Sequence, residues 1–246
     1  MDSRKLKLFA MAVMAVDHFA MGVVYLLVKA DPSLREVYEI LRHIGRLAFP
    51  IFGLLLVEGF VHTKNIRRYV TAMALGALVS EIPFNLASSR GDFLFPRQQN
   101  VFISLFIALC ALCVIKFIED HFEKHDMLRY DLILAAILLF AIMARLIRCD
   151  YKQGGIIMIC LMYLIREAWY EKSRITGPAL PMILAGCTVL TLYSKSEIYA
   201  FFVAPLAIMY NGKRGNIKHK YFYYWFYPVH LLIIGIAARI IRQGGL

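Results

Sequence analysis

From Leu6 to Val28 the chain is almost wholly apolar, broken only by Lys7 near its start and by an adjacent Asp17 and His18 halfway along, in "VMAVDHFAMG". About 20 apolar residues suffice for a helix to cross the ~30 Å of hydrocarbon in a bilayer. Such runs recur at about 46–61, 69–87, 100–118, 132–147, 153–166, 178–194, 197–210 and 222–241, with short loops between them. Lipid offers no partners to backbone N–H and C=O groups, so a chain built this way can only be a bundle of helices or a closed barrel, and runs this long favour helices. The expected fold is all-α: one polytopic transmembrane bundle over residues 1–246, with about nine spans and a range of eight to ten, because several runs are short.

The composition agrees, with 60% hydrophobic and only 18% charged residues, against ~45–50% and ~25% in ordinary soluble domains. A net charge of +11 would suit nucleic acid, but the basic residues fall in short clusters between apolar runs. That is the pattern of loops beside anionic headgroups, so the expected partner is the bilayer of the cell membrane. The first run is too long for a signal-peptide core and no small-x-small site closes it, so it is read as a helix that stays. Five cysteines (Cys110, Cys113, Cys149, Cys160 and Cys187) lie in or beside apolar runs and are read as packing residues; no metal is expected.

Orientation follows from the loops. With the N-terminus cytoplasmic, the inner segments carry Arg4, Lys5 and Lys7, then Lys64, Arg67 and Arg68, then Lys116, Lys124 and Arg129, then Arg166, Lys172 and Arg174, and finally Lys213, Arg214, Lys218 and Lys220. That is sixteen of the 28 basic residues, a modest excess that favours this sense.

An ionisable group at membrane depth is costly and marks a candidate functional site. At ~1.5 Å per residue, His18 lies ~18 Å in from Leu6, and His230, in "YFYYWFYPVHLL", lies ~13 Å in from Tyr221. Two histidines on different helices therefore reach similar depth. Asp17 points about 100° away from His18 around the helix, so it is expected to orient another group, with Arg145, Arg148 and His230 as candidates. Glu58 ("LLLVEGFVHT") and Glu81 ("LVSEIPFN") are either functional or clasps between helices. Asn100, Arg148, Asp150 and Tyr227 complete the polar candidates.

Lys7 and His18 are eleven residues apart, about three turns, hence on nearly one face with ~16 Å between them. A surface cation in line with a buried imidazole suits an elongated ligand with an anionic head and a reactive tail, a description that fits acyl-coenzyme A. Imidazole, with a pKa near ~6.5, can take a proton from an acceptor at neutral pH or attack a thioester itself. A relay of His18, His230, Asp17 and Glu81 in a proton-coupled transporter is the alternative.

Several longer segments carry a resemblance. "LKLFAMAVMAVDHFAMG", "GRLAFPIFGLLLVEGFVHTKNIRRY", "SEIPFNL", "NVFISL", "DYKQGGIIMI" and "FYYWFYPVHLL" occur in the order found in the TraX family, membrane proteins named for conjugative pilus maturation. Lys7-x10-His18 also resembles the Arg-x10-His signature of the membrane acyltransferase-3 families. The resemblance implies a membrane acetyltransferase moving acetyl from acetyl-CoA to an amine or hydroxyl acceptor: the pilin N-terminus, a surface polymer or a small amine. The resemblance implies His18 as the catalytic residue and Lys7 as a contact for the coenzyme. Membrane depth adds Asp17 and His230 to the expected catalytic residues, and the basic cytoplasmic loop adds Lys64, Arg67 and Arg68 as expected contacts for the coenzyme phosphates. Lysine in place of arginine keeps the charge and loses the bidentate fork.

Overall fold

The computed structural model describes residues 1–94, 97–172, 177–215 and 220–244, with side chains left out at 170–172 and 220–221. Among these residues every regular element is helical. Asp2 starts α1 (Ser3–Phe19), its carboxylate accepting from the Lys5 backbone N–H at 2.9 Å. Leu6, Ala10, Val13, Met14 and His18 are buried at intervals of three and four, one inward stripe that brings His18 to the interior. The helix then widens into a π turn at Ala20–Val24 and resumes as α2 (Tyr25–Ala30).

After a single 3-10 turn come α3 (Arg35–Gly45) and α4 (Ala48–His62), joined at Arg46 and Leu47. Asn65 caps α5 (Ile66–Ser89), which ends on Arg90 in the left-handed conformation. Asn100 caps α6 (Val101–His121), and α7 (Asp126–Ile147) ends on a left-handed Arg148. Then follow α8 (Lys152–Lys172), α9 (Ala179–Tyr193), a nine-residue 3-10 segment Lys195–Val203, α10 (Ala204–Met209) and α11 (Lys220–Gln243).

The apolar runs of the sequence each coincide with a helical segment. Among the described residues, six stretches are long and apolar enough to cross a membrane: Ser3–Ala30, Pro32–His62, Ile66–Ser89, Val101–His121, Asp126–Ile147 and Phe222–Gln243. Thus α8 falls outside that set, as do α9 and the 3-10/α10 pair; α8 is long enough but carries Lys152, Arg166 and Glu167, and α9 is a shorter apolar helix of 15 residues. The sequence did not announce α3. Its stretch "REVYEILRHIGR" is amphipathic rather than apolar, and it lengthens the second span at the end away from His62.

Two sets of contacts define opposite ends of the bundle. The Ser3 N–H donates to the Lys213 carbonyl at 2.8 Å and the Asn211 N–H to that of Met1 at 3.0 Å, so the chain start meets the 209–213 stretch. At the other end Gln99 N–H donates to the Arg148 carbonyl at 3.0 Å, tying the approach to α6 onto the end of α7. The core between them is large aliphatic and aromatic side chains, with Phe49, Ile51, Leu54, Phe84, Leu112, Ile156 and Tyr163 almost fully enclosed.

Candidate active site

The histidines of α1 and α11 meet inside the bundle. His18 is 6% exposed, and its Nδ1 lies 2.8 Å from His230 Nε2, the rings nearly parallel with centroids 5.1 Å apart. The remaining His230 nitrogen, Nδ1, lies 2.6 Å from the Phe226 carbonyl oxygen. A carbonyl can only accept, so His230 Nδ1 carries a proton. In the neutral ring Nε2 is then an acceptor, and His18 Nδ1 must donate to it. His18 Nε2 is left with its lone pair. One backbone oxygen thereby sets the tautomer of both rings, as an orienting carboxylate does in other histidine bases.

Neighbouring residues hold that geometry. Phe226 stacks on His230 at 4.8 Å, and Tyr227 stands edge-on to both imidazoles at 5.7 and 5.6 Å. The Tyr227 hydroxyl oxygen accepts from the Val101 N–H at 3.4 Å. Asn100, fully buried, donates to Glu81 Oε2 at 2.6 Å and to the Ala77 carbonyl at 3.0 Å, while its own oxygen accepts from the Phe102 N–H at 3.0 Å. Glu81, Asn100 and Tyr227 therefore knit α5, α6 and α11 into one wall. The π turn begins two residues after His18, a helix irregularity that recurs at functional sites. Within it Gly22 has no room for a side chain: a Cβ would lie 2.5 Å from Ile234 Cγ2, so glycine allows α11 to come this close.

Asp17 turns to the other side of α1. Its Oδ1 pairs with Arg42 at 2.7 Å and Arg46 at 3.1 Å, and Arg46 reaches Glu197 at 2.8 Å. Two cations and two carboxylates alternate, which offsets the cost of holding them out of water. Gly45 makes this possible, since a Cβ there would sit 2.2 Å from Asp17 Oδ1. Asp17 is thus oriented by α3, and not by the expected Arg145, Arg148 or His230. Arg145 and Arg148 are exposed at the end of α7. Arg42, Arg46 and Glu197 went unnoticed in the sequence. Two arginines four residues apart, directly before an apolar run, were the signal that a carboxylate at depth needed them.

The arginines open onto a cleft of about 380 Å³ whose other walls include Gln98, Asp150, Tyr193 and Glu197. Asp150, in the turn after α7, accepts from Gln98 Nε2 at 2.5 Å, and burial pushes its carboxyl up to about 6 although Arg46 pulls the other way. The cleft lies at the end of the bundle away from the chain start, because Gln98 and Asp150 flank the Gln99–Arg148 contact.

Of the residues expected to hold coenzyme, Lys7 lies in the seam between α1 and α11, its Nζ 4.8 Å from the centre of the Tyr223 ring. Lys64, Arg67 and Arg68 are exposed about the turn that starts α5, at the end of the bundle that carries Met1. Arg174 and Lys218 lie outside the described residues. Glu58 is a clasp: it accepts from Arg166 Nε of α8 at 2.8 Å. The five cysteines are free thiols.

Comparison with known proteins extends this picture. The family model described as TraX protein matches residues 2–238. The chain is also 28% identical to the probable fimbrial assembly protein FimC, serogroup H1, of Dichelobacter nodosus, over 259 aligned positions that cover 97% of this chain and 96% of that one. No solved structure matches.

Proposed function

The chain belongs to the TraX family, and on that premise we propose that it is a membrane acetyltransferase, moving acetyl from acetyl-CoA to an amine or hydroxyl acceptor in the service of fimbrial or pilus assembly. The observation that carries the reading is the histidine pair. His18 Nε2 is the one imidazole nitrogen of the pair left to accept a proton, in a buried ring that Tyr227 flanks edge-on.

His18 Nε2 takes the proton of the acceptor O–H or N–H as that atom bonds to the acetyl carbonyl carbon. The C–S bond of the thioester breaks, and the imidazolium returns the proton to the departing sulfur. While His18 is positive, its Nδ1–H donates to the neutral His230, which supports the charge without adding one of its own. Such a base contributes about 10²–10⁴-fold, enough for an already activated thioester held in place. Asp17, engaged by two arginines, holds α3 against α1 and does not act on the imidazole.

The coenzyme phosphates fit the basic end of the bundle. Lys64, Arg67 and Arg68 present exposed cations there, and Lys7 sits where the seam toward His18 begins. In this reading the N-terminus is cytoplasmic and the chain passes nine times through the cell membrane, with α8, α9 and the 3-10/α10 pair added to the six long apolar stretches.

The test is direct: purified protein in lipid is given acetyl-CoA labelled in the acetyl group, with cell-surface polymers, peptides and small amines as acceptors. Label moving to an acceptor with wild type and not with His18→Ala supports the reading. Equal transfer by both, or by neither, overturns it.

A further inference from the structure

The cleft beside Arg42 and Arg46 has features that the histidine chemistry leaves unused. Glu197 is 5% exposed, and although its Oε1 is held by Arg46, its Oε2 is buried with no hydrogen-bond partner among the described residues. Gln153 Oε1, on the same cleft, is in the same condition. A buried oxygen left without a donor costs about 1–3 kcal/mol. Both atoms are acceptors, so what settles here must bring O–H or N–H groups.

Charge narrows the choice. The cleft's cations are Arg42, Arg46 and Lys152, and its carboxylates are Asp150 and Glu197, with Asp17 behind the arginines. Three charges of each sign leave no net field to draw in an ion. A phosphate or carboxylate would bring no donors to Glu197 and Gln153, and a protonated amine gains no net attraction from a balanced set of charges. The walls add an apolar element: Tyr193 is 51% exposed. It lies across Gly154, where a Cβ would come within 2.9 Å of it. A neutral ring bearing several hydroxyls matches all of this. It can donate to Glu197 Oε2 and Gln153 Oε1, accept from Lys152, and lay its C–H face on Tyr193.

We infer that the cleft at the end of the bundle opposite the chain start binds a neutral polyhydroxylated ligand, a saccharide, through Glu197, Gln153 and Tyr193. Resting on the acetyl-transfer reading, that saccharide is the hydroxyl acceptor. The arginines of the cleft reach α1 at the residue before His18, Arg42 contacting both the carboxylate and the backbone carbonyl of Asp17.

The experiment is saturation-transfer NMR on the full chain in lipid nanodiscs prepared without glycosidic detergent. The probes are methyl β-glucoside, methyl β-N-acetylglucosaminide, ethanolamine and a short peptide with a free N-terminus. We expect saturation of at least one glycoside and of neither amine. Affinity should weaken at least tenfold in Gln153→Leu and in Tyr193→Ala, and be retained in Tyr193→Phe, which shows that the platform and not the fold was lost. Binding of an amine in place of the glycosides overturns the inference, as does glycoside binding that survives both substitutions. No coenzyme is needed for the measurement. Acetyl transfer to a peptide with no glycoside binding would therefore defeat this inference alone, and glycoside binding in a protein that transfers no acetyl would defeat only the acceptor role.

Discussion

The chemistry of the histidine pair depends on where two protons sit, and the Phe226 carbonyl decides it. His18→Ala removes the base and should lower acetyl transfer by about 10²–10⁴-fold with the protein still inserted, since losing a polar group from a bundle interior leaves the backbone satisfied. His230→Ala takes away the acceptor of the His18 Nδ1–H and should be nearly as severe. His230→Gln, whose amide oxygen can accept that proton, should recover part of the rate. Equal losses in the two His230 variants would mean that the second ring only fills space. Asp150 answers to pH. Its carboxyl rises from 3.8 to about 6 in the fold, so the fold favours the neutral form: the stabilisation is complete below about 3.8 and is lost as pH climbs through about 6. Asp150→Asn keeps an oxygen for Gln98 and has no charge to bury. Relative to wild type the variant should therefore gain on the order of 2–3 kcal/mol between pH 4 and pH 7.5, read as a widening difference in thermal midpoint.

Two glycines set how closely the helices approach, and through that the two polar networks. Gly22 on the π turn lets Ile234 of α11 come so near that a Cβ would meet Cγ2 at 2.5 Å. Gly22→Ala should cost about 1–3 kcal/mol by overpacking and slow acetyl transfer by spreading the seam between His18 and His230. Ile234→Ala in the same chain should restore most of the rate, because it removes the atom that clashes. A double variant as slow as the single one would show that Gly22 matters for backbone freedom in the π turn and not for approach. Gly45 serves Asp17 in the same manner, and α3, amphipathic and short, owes its place to the Asp17–Arg42–Arg46 pairing.

The two ends of the bundle are chemically different: basic loops and Lys7 at one, the cleft with paired charges at the other. If coenzyme enters at the basic end, replacing Lys64, Arg67 and Arg68 together by glutamine should raise KM for acetyl-CoA several-fold with kcat little changed, because those contacts act alike on ground and transition states. Unchanged affinity would move the phosphate site to Lys213 and Arg214. Orientation is checked by single cysteines introduced at Asp2, Asn65, Asp92 and Gly244 in a chain freed of its own thiols. A membrane-impermeant maleimide added outside intact cells should label positions 92 and 244 only; labelling of position 2 would reverse the orientation.

Hydropathy alone determined the class of fold, since runs this long and loops this short leave the backbone no choice in lipid but helices. It also singled out His18, His230, Asp17, Glu81 and Asn100, because polar groups at such depth are too costly to be incidental. What it could not reveal was pairing. His18 and His230 are 212 residues apart, and their contact follows from how α1 and α11 pack. Glu58 and Glu81 look alike in sequence, yet one meets Arg166 and the other Asn100. Arg42, Arg46 and Glu197 stand at or just before the edges of apolar runs and gained a partner only when α3 and the 3-10 segment folded toward Asp17. Burial cost is a local property that each residue carries in the sequence, whereas the partner that offsets it is chosen by the packing of distant helices.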